Sequence, residues 1–347
     1  MAAYSLGPLM NYLQYFRLNA EPFGHAPAHD AYFASESHTR VIDRVVWAVE
    51  GMRGLAVVSG EVGHGKTTLA RRLVGVLPRV GYQTVMVVMV HAGVKPEWLL
   101  AHIARQLGVT HISDNKLELI GRIYEQLEQF YAQGRKVVIV LDEAQMLTGR
   151  PMMEELRGLL NLEMPGKKLL SLVLFGLPEI FENLYLDKPL VQRMALRCEL
   201  SPFSQHETKA YLQHRLSVAG ANRPIFSAPA ARFIHLAAKG VPRLINIIAD
   251  NALLEMFFAR HTSASHELLS GVCLSLGLDA PAAEVPEGVG SPEDSDLGFC
   301  PEEIAANVAN EPMPAGVMNT LSQGGSKEIE DPLAFLGGKA SHKEPSQ

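Results

Sequence analysis

The sequence predicts a layered α/β domain with a mostly parallel sheet, followed by a small all-helical domain. From residue 12 to about residue 260, apolar runs of strand length alternate with helical patterns, which is typical of α/β folds. The apolar runs are continuous, and a strand that helices bury on both faces has this pattern. After residue 201 the strand signals stop and only helical patterns follow.

The expected elements follow in chain order. Strands are predicted at 55–59, 84–90, 137–141, 169–175 and, more weakly, 197–200. Helices are predicted at 66–77, 96–107, 116–131, 151–162, 205–219, 229–238 and 242–259. Pro96 and Pro151 suit first-turn positions, where a missing N–H costs nothing. The domains expected from this pattern are a leader (1–11), an α/β domain (12–202), a helical lid (203–278) and an acidic tail (279–347).

Charge is distributed unevenly along the 347 residues. The chain has a net charge of −6, but after residue 280 it holds 12 acidic and 3 basic residues, so the folded part is near neutral. Nothing in this balance demands a strongly basic nucleic-acid surface. The tail is rich in Pro, Gly and acidic residues and is predicted to be disordered. Within it, the apolar segment 331–337 is either a docking peptide for a partner or a random cluster.

The sequence also predicts a location. Three cysteines, Cys198, Cys273 and Cys300, form no disulfide or zinc pattern, which fits a reducing compartment. No apolar run approaches the roughly 18 residues of a membrane helix, and no signal peptide is recognisable. We expect a cytoplasmic protein, with peripheral attachment at the inner membrane left open.

The strongest motif matches GxxxxGK[ST] in full, and reads Gly60-Glu61-Val62-Gly63-His64-Gly65-Lys66-Thr67. It lies between a buried strand and a helix, the context in which this motif forms a phosphate-binding loop. Its glycines let backbone N–H groups turn toward phosphate oxygens, and the helix N-terminus points at the same anion. We predict that these residues and Thr68 bind ATP, with Lys66 at the β- and γ-phosphates and the Thr67 hydroxyl on Mg²⁺. A glycine-rich turn that binds nothing is the alternative.

A second motif ends the third predicted strand. Four β-branched residues precede Leu141, and two carboxylates follow, Asp142 and Glu143. In P-loop enzymes an aspartate at a strand end holds Mg²⁺, and a neighbouring glutamate can polarise the attacking water. We expect these roles here. The alternative is a helix N-terminus whose acidic residues are there only because that position favours them.

With these motifs the chain resembles AAA+ ATPases of the general secretion pathway protein A (ExeA) type. Relatives of that group serve pilus biogenesis, exosortase systems and some transposons. The resemblance covers roughly 240 of the 347 residues. It is carried by residues 15–18, 21–23, 60–68, 141–145, 161–163, 176–179, 192–193, 211–220 and 240–246, the last reading Gly240-Val241-Pro242-Arg243-Leu244-Ile245-Asn246.

The resemblance implies a three-layer ATPase domain, a helical lid and assembly into a homo-oligomeric ring. Arg243 matches the lid arginine that contacts the γ-phosphate within its own subunit. Arg193 matches an arginine finger offered to the neighbouring subunit, with Arg197 as a competitor for that role. Pro22 and Phe23 match the region near the adenine. The alternatives are a solvated helix-face arginine for Arg193, a structural role for Arg243 and plain core packing for Phe23.

Two positions depart from the family pattern. Leu177 stands where the family usually has a polar residue after the fourth strand, and leucine cannot donate a hydrogen bond from its side chain. This predicts slow hydrolysis, unless Ser171 or Asn161 supplies the polar contact. His64 replaces a small residue or threonine, and is interpreted as a tolerated loop residue. Another histidine near the start, His38, is interpreted as a non-ligand together with His25 and His29.

Together these features predict a Mg²⁺-dependent AAA+ ATPase that assembles or remodels a protein partner in an envelope secretion or surface-assembly system. Docking through the C-terminal tail is one route to that partner. Two other functions stay open. A DNA-associated regulator of the transposition type is disfavoured because a DNA-lining surface needs a basic stripe. An ATP-gated scaffold with slow turnover is the other, and Leu177 motivates it.

Overall fold

The structure is a computed structural model that describes residues 11–24, 32–78 and 80–281. All of these residues belong to one compact unit, Met1–Glu284. The predicted leader up to residue 10, His25, His29, and the acidic tail from residue 282 with its segment 331–337 lie outside the described residues. The domain boundaries proposed above therefore stay predictions.

A five-stranded parallel sheet forms the centre, with the strand order β2-β3-β6-β1-β7. Its strands are β1 (Leu55–Gly60), β2 (Tyr82–Val88), β3 (Lys136–Asp142), β6 (Leu170–Gly176) and β7 (Met194–Leu200). A separate antiparallel pair consists of β4 (Glu163–Met164) and β5 (Lys167–Lys168). The predicted α/β class with a parallel sheet is confirmed.

The two edge strands differ from the prediction. The sequence predicts strands with continuous apolar runs at 84–90 and 197–200, but β2 ends two residues earlier and β7 begins three residues earlier. Only the central β1, β3 and β6 are almost wholly buried. An edge strand has one neighbour and less cover, so β7 alternates buried and exposed residues and gives a weaker apolar signal.

Helices cover both faces of the sheet. They are α2 (Glu36–Glu50), α3 (Lys66–Val76), α4 (Pro96–Gln106), α5 (Lys116–Ala132), α6 (Arg150–Leu160), α7 (Ile180–Leu184) and α8 (Lys188–Val191), after a short α1 (Asn11–Phe16). One apolar core lies between the sheet and α4–α6, and a second lies between the sheet and α2 and α3. Helix α2 was absent from the sequence prediction, although the side chain of Ser35 caps it by accepting from the backbone of His38.

The chain ends its described part in four further helices. These are α9 (Gln205–Val218), α10 (Ala228–Ala238), α11 (Pro242–Phe258) and α12 (His266–Ser275). Helix α12 was not predicted from the sequence, although the side-chain hydroxyl of its N-cap residue Ser265 accepts a hydrogen bond from the backbone N–H of Leu268. The four helices share one apolar core, and Tyr12 and Phe16 of α1 are buried in it. The amino-terminal segment therefore packs on the helical part, whereas the sequence assigned it to the α/β domain.

Gly240, between α10 and α11, packs closely against Phe203 in the connection from β7 to α9. Its φ is +71°, and a Cβ there would lie 2.1 Å from the carbonyl oxygen of Phe203. The backbone N–H of Phe203 in turn donates to the Gly240 carbonyl at 2.8 Å. Only glycine permits this approach. Across residues 11–24, 32–78 and 80–281, no helix is long and apolar enough to cross a membrane.

Candidate active site

The phosphate-loop motif forms a turn at the carboxyl end of β1. Gly63 and Gly65 have φ of +84° and +89°, which side-chain-bearing residues rarely adopt. Gly65 is the N-cap of α3, so the positive end of that helix points into the turn. The glycine spacing therefore has a local cause. Two left-handed residues are needed to curl the backbone into an anion cradle.

Lys66 is buried at the base of this loop. Its ammonium donates to the carbonyl oxygens of Gly60 at 2.8 Å and Glu61 at 3.0 Å. Burial lowers the pKa of Lys66, while the nearby Glu143 and Asp142 carboxylates raise it. The Lys66 ammonium is therefore hydrogen-bonded to loop carbonyls, with two carboxylates nearby. A bound phosphate would have to replace these carbonyls as the acceptor.

Asp142 is the last residue of β3 and is completely buried. Its Oδ1 accepts from the backbone N–H of Glu143 at 3.0 Å, and its Oδ2 has no hydrogen-bond partner among the described residues. Burial raises the pKa of Asp142, and the neighbouring Thr67 hydroxyl lowers it. A buried carboxylate oxygen without a partner, beside a threonine hydroxyl, has the chemistry of a Mg²⁺ site.

Glu143 adopts a left-handed conformation, with φ of +53°. Non-glycine residues in this region are strained by about 1–3 kcal/mol and cluster at functional sites. Its carboxylate accepts from the side-chain amide of Gln145 at 2.7 Å. Sequence reasoning missed Gln145, although it lies within the quoted stretch 141–145.

His64 and His38 make structural contacts that the sequence did not predict. His64 is buried, and its Nδ1 donates to the carbonyl of Leu200 at 3.0 Å. His38 is also buried. Its Nε2 donates to the His64 carbonyl at 3.0 Å, and its Nδ1 accepts from Ser35 Oγ at 2.5 Å. His64 is thus a packed part of the loop, and His38 supports the loop from 26 residues upstream. Spacing alone carries no signal for this contact.

Arg243 lies beside the loop at the start of α11. Its backbone N–H donates to the Gly63 carbonyl at 3.3 Å. A Cβ on Gly63 would come within 2.9 Å of the Cβ of Arg243 and Cγ1 of Val241. The lid helix therefore touches the phosphate loop directly, and the exposed Arg243 side chain begins at that contact.

Arg193 lies at the amino end of β1, the opposite end of this strand from the phosphate loop. Its carbonyl accepts from Leu55, the first residue of β1, and its Nη1 donates to the Leu160 carbonyl at 3.4 Å. The six residues of β1, about 20 Å, separate it from the phosphate loop. With Arg53 and Lys168 it lines a pocket of about 230 Å³. Arg193 therefore cannot reach the phosphate loop of its own subunit.

Other predicted residues are scattered. The guanidinium of Arg197 stacks 3.7 Å from the ring centre of Phe181. Glu61, Val62 and Thr68 are exposed around the loop. Phe23 is 4% exposed and packs against Phe226 in the helical core, at a ring separation of 6.2 Å. The structure thus brings Phe23 to the lid, and its contact with adenine stays a prediction.

The two substitutes suggested for Leu177 are wrong. Ser171 lies near the amino end of β6, where its hydroxyl contacts Met52 Sδ at 3.7 Å. Asn161 is exposed at the end of α6, and the chain runs from there to the amino end of β6. Neither lies near Leu177, which follows the carboxyl end of β6. There the backbone N–H of Leu177 donates to Oε1 of Gln145 at 3.0 Å.

A family model described as "AAA domain" matches residues 49–184. Solved structures agree with it. The ORC2 protein of Aeropyrum pernix, in ADPNP and ADP complexes, is 16% identical, with a TM-score of 0.58 over 74% of this chain and 71% of that one. Cdc6p from Pyrobaculum aerophilum is 16% identical, with a TM-score of 0.57 over 73% and 70%. The predicted fold class is confirmed: this chain has the AAA+ fold of P-loop NTPases.

A particular relative agrees with the resemblance seen in the sequence. General secretion pathway protein A of Aeromonas hydrophila is 35% identical over 264 residues, which are 75% of this chain and 47% of the relative. The chain thus spans about half the length of that protein. The predicted similarity to the secretion pathway protein A type is confirmed.

Proposed function

We propose that this chain is a Mg²⁺-dependent ATPase that couples ATP binding and hydrolysis to the assembly or remodelling of a protein partner. The observation that carries the proposal is that Lys66 and Thr67, at the start of α3, and Asp142, at the end of β3, lie at the same end of the sheet, where Oδ2 of Asp142 has no hydrogen-bond partner among the described residues. Similarity to a secretion pathway protein supports a secretion or surface-assembly setting. A cytoplasmic location, peripheral to the inner membrane, belongs to the same proposal.

Each residue has a role in this proposal. The loop backbone from Gly60 to Gly65 binds the phosphates, and Lys66 exchanges loop carbonyls for phosphate oxygens. Thr67 and Asp142 would hold Mg²⁺, which neutralises charge on the transferred phosphoryl group. Glu143 polarises the attacking water as a general base.

Two arginines complete the phosphate site in this proposal. Arg243 contacts the γ-phosphate from the lid of the same subunit. Arg193 acts on a neighbouring subunit, where its cation stabilises charge on the transferred phosphoryl group. The position of Arg193, far from its own loop, supports a site shared within a homo-oligomeric ring. The tail is proposed as a docking route for the protein partner.

Binding and turnover of ATP test the proposal on the full chain. Lys66→Ala should weaken ATP affinity at least tenfold, about 1.4 kcal/mol, because it removes the main cation at the phosphates. Lys136→Ala is the matched control, since this lysine lies at the amino end of β3 and donates to the Glu50 carbonyl. EDTA should abolish phosphate release by the wild type. Unchanged affinity in Lys66→Ala would contradict the proposal.

A mixing experiment tests the shared site. Arg193→Ala and Lys66→Ala are each expected to be inactive, but mixed oligomers should recover turnover because each variant supplies what the other lacks. Arg197→Ala mixed with Lys66→Ala tests the competing assignment: an inactive Arg197→Ala that recovers turnover only in this mixture would make Arg197 the arginine finger. No recovery in verified mixed oligomers would refute the role of Arg193. A rise in turnover with double-stranded DNA, sensitive to salt, would favour the DNA-associated alternative.

A further inference from the structure

Gln145 links the ends of two neighbouring strands in the candidate site. Its Nε2 donates to Oε2 of Glu143 at 2.7 Å, and its Oε1 accepts from the backbone N–H of Leu177 at 3.0 Å. Glu143 follows β3 and Leu177 follows β6, the adjacent strand in the sheet. One side-chain amide therefore uses both of its ends to tie a carboxylate to the neighbouring strand.

Gly176 makes room for this link. A Cβ at Gly176 would lie 3.0 Å from Oε1 of Gln145 and 3.1 Å from its backbone nitrogen. The φ of Gly176 lies outside the left-handed region, so the close approach, and not the backbone conformation, favours glycine here. A side chain at position 176 would displace Gln145 by a few tenths of an ångström.

The held carboxylate faces the phosphate loop. Glu143 follows the carboxyl end of β3, and the phosphate loop follows the carboxyl end of β1 in the same parallel sheet, so both lie at one end of the strands. The backbone of Glu143 is left-handed there, with φ of +53°. Hydrogen bonds to an ionised acceptor are among the stronger ones, and Gln145 supplies one.

We propose that Gln145 is the positioning residue for Glu143: it holds the carboxylate toward the phosphate loop and provides the polar group that the Leu177 side chain lacks. This inference rests on the proposed function. It also explains how a chain with leucine at position 177 keeps a polar link at the end of β6. Fast hydrolysis then depends on Gln145, and not on the residue at position 177.

The effect should appear in kcat and not in affinity. Gln145 has no contact with Lys66 or Thr67 among the described residues, so Gln145→Ala should leave ATP affinity within about threefold. Loss of one hydrogen bond to a charged group predicts a fall in kcat of about ten- to a hundredfold. Gln145→Glu keeps the acceptor for Leu177 but loses the donor for Glu143, and should fall at least as far.

Two further variants separate positioning from mere folding. Gly176→Ala should lower kcat by displacing the amide, and should add little to Gln145→Ala. In single-turnover assays on a Glu143→Gln background, Gln145→Ala should have no further effect, because a residue that acts through Glu143 cannot act without it. The matched control is Gln106→Ala, which removes a glutamine that also makes two backbone hydrogen bonds, both to Met86.

The outcomes distinguish this inference from the proposed function. Wild-type turnover with a normal kcat in folded Gln145→Ala overturns the inference alone. An equal loss from Gln145→Ala in the wild type and in the Glu143→Gln background also overturns it. A wild-type chain whose turnover does not depend on Glu143 overturns the proposed function, and the inference with it.

Discussion

Arg215 of α9 attaches the amino-terminal segment to the helical part of the protein. Its guanidinium is buried and donates to the carbonyls of Pro22 at 2.6 Å and Gly24 at 3.3 Å, and to the Tyr211 hydroxyl at 2.9 Å. The ring of Phe23 lies 6.0 Å from it. The Pro–Phe stretch quoted for the family resemblance is therefore held by one arginine more than 190 residues away.

Replacing this arginine should be costly. Arg215→Ala removes three hydrogen bonds from a charged donor, each worth about 1.5 kcal/mol at the lower end. Water that enters the vacated space offsets a part, which leaves a loss of about 3–4 kcal/mol in the free energy of unfolding. At 2–4 °C per kcal/mol for a unit of this size, the melting temperature should fall by about 6–16 °C.

Thermal melting followed by circular dichroism measures this change. Arg215→Lys should recover less than half of the loss, because an ammonium cannot reach all three acceptors of the guanidinium fork. Arg40→Ala is the matched control. Its guanidinium is 69% exposed and pairs only with Glu36 one turn away, so its removal should change the unfolding free energy by no more than about 0.5 kcal/mol.

A melting temperature of Arg215→Ala within about 2 °C of the wild type would refute this reasoning. It would mean that the three buried hydrogen bonds of Arg215 make no net contribution to the stability of the folded state. An equal loss in Arg40→Ala would also refute it, because the effect would then follow from removing any arginine and not from the three buried contacts.

Three other perturbations have defined outcomes. Glu143→Gln should retain ATP in a binding titration while turnover falls about a hundredfold or more, since an amide is a poor base; retained turnover would identify another base. Gly240→Ala should lower the urea midpoint of unfolding by more than a substitution to alanine at an exposed position, because its Cβ would clash with the Phe203 carbonyl oxygen. Burial lowers the pKa of His38, so the neutral ring stabilises the fold above a pH of about 6.5, and this stability is lost as the pH falls through the lowered pKa. His38→Gln should therefore weaken the pH dependence of the urea midpoint between pH 7.5 and 5.5. The dependence that remains comes from His214 and His235, whose pKa values burial also lowers. An unchanged slope would contradict the role of His38.

Local patterns predicted most of the sheet and helix order. Continuous apolar runs identified β1, β3 and β6 because both faces of these strands are buried, and the first-turn prolines of α4 and α6 marked helix starts. The prediction was weakest at the edge strand β7, which alternates, and it missed α2 and α12. For both helices the serine N-cap was the overlooked signal.

The candidate site shows the same difference between residues that the sequence predicted and residues that it did not. The loop glycines, Lys66 and Asp142 follow from a motif that is contiguous in the chain, so their geometry is largely local. His38 was not foreseen because it contacts a residue 26 positions away, and the link made by Gln145 was not foreseen because its second hydrogen bond reaches Leu177, 32 positions away. Such contacts depend on how elements are placed in space, and a single sequence carries no periodicity that reports them.

The sequence by itself determined the parallel sheet, the phosphate turn and the pair of carboxylates at the end of β3. Backbone preference and local burial depend on residues that are neighbours in the chain, so a single sequence reveals them. Only the tertiary structure decided that Phe23 lies in the lid core, that Arg193 stands about 20 Å from its own phosphate loop, and that Gln145 bridges two strand ends. The physical reason is that these relations arise from strand order and helix packing, which bring together residues that the chain keeps far apart.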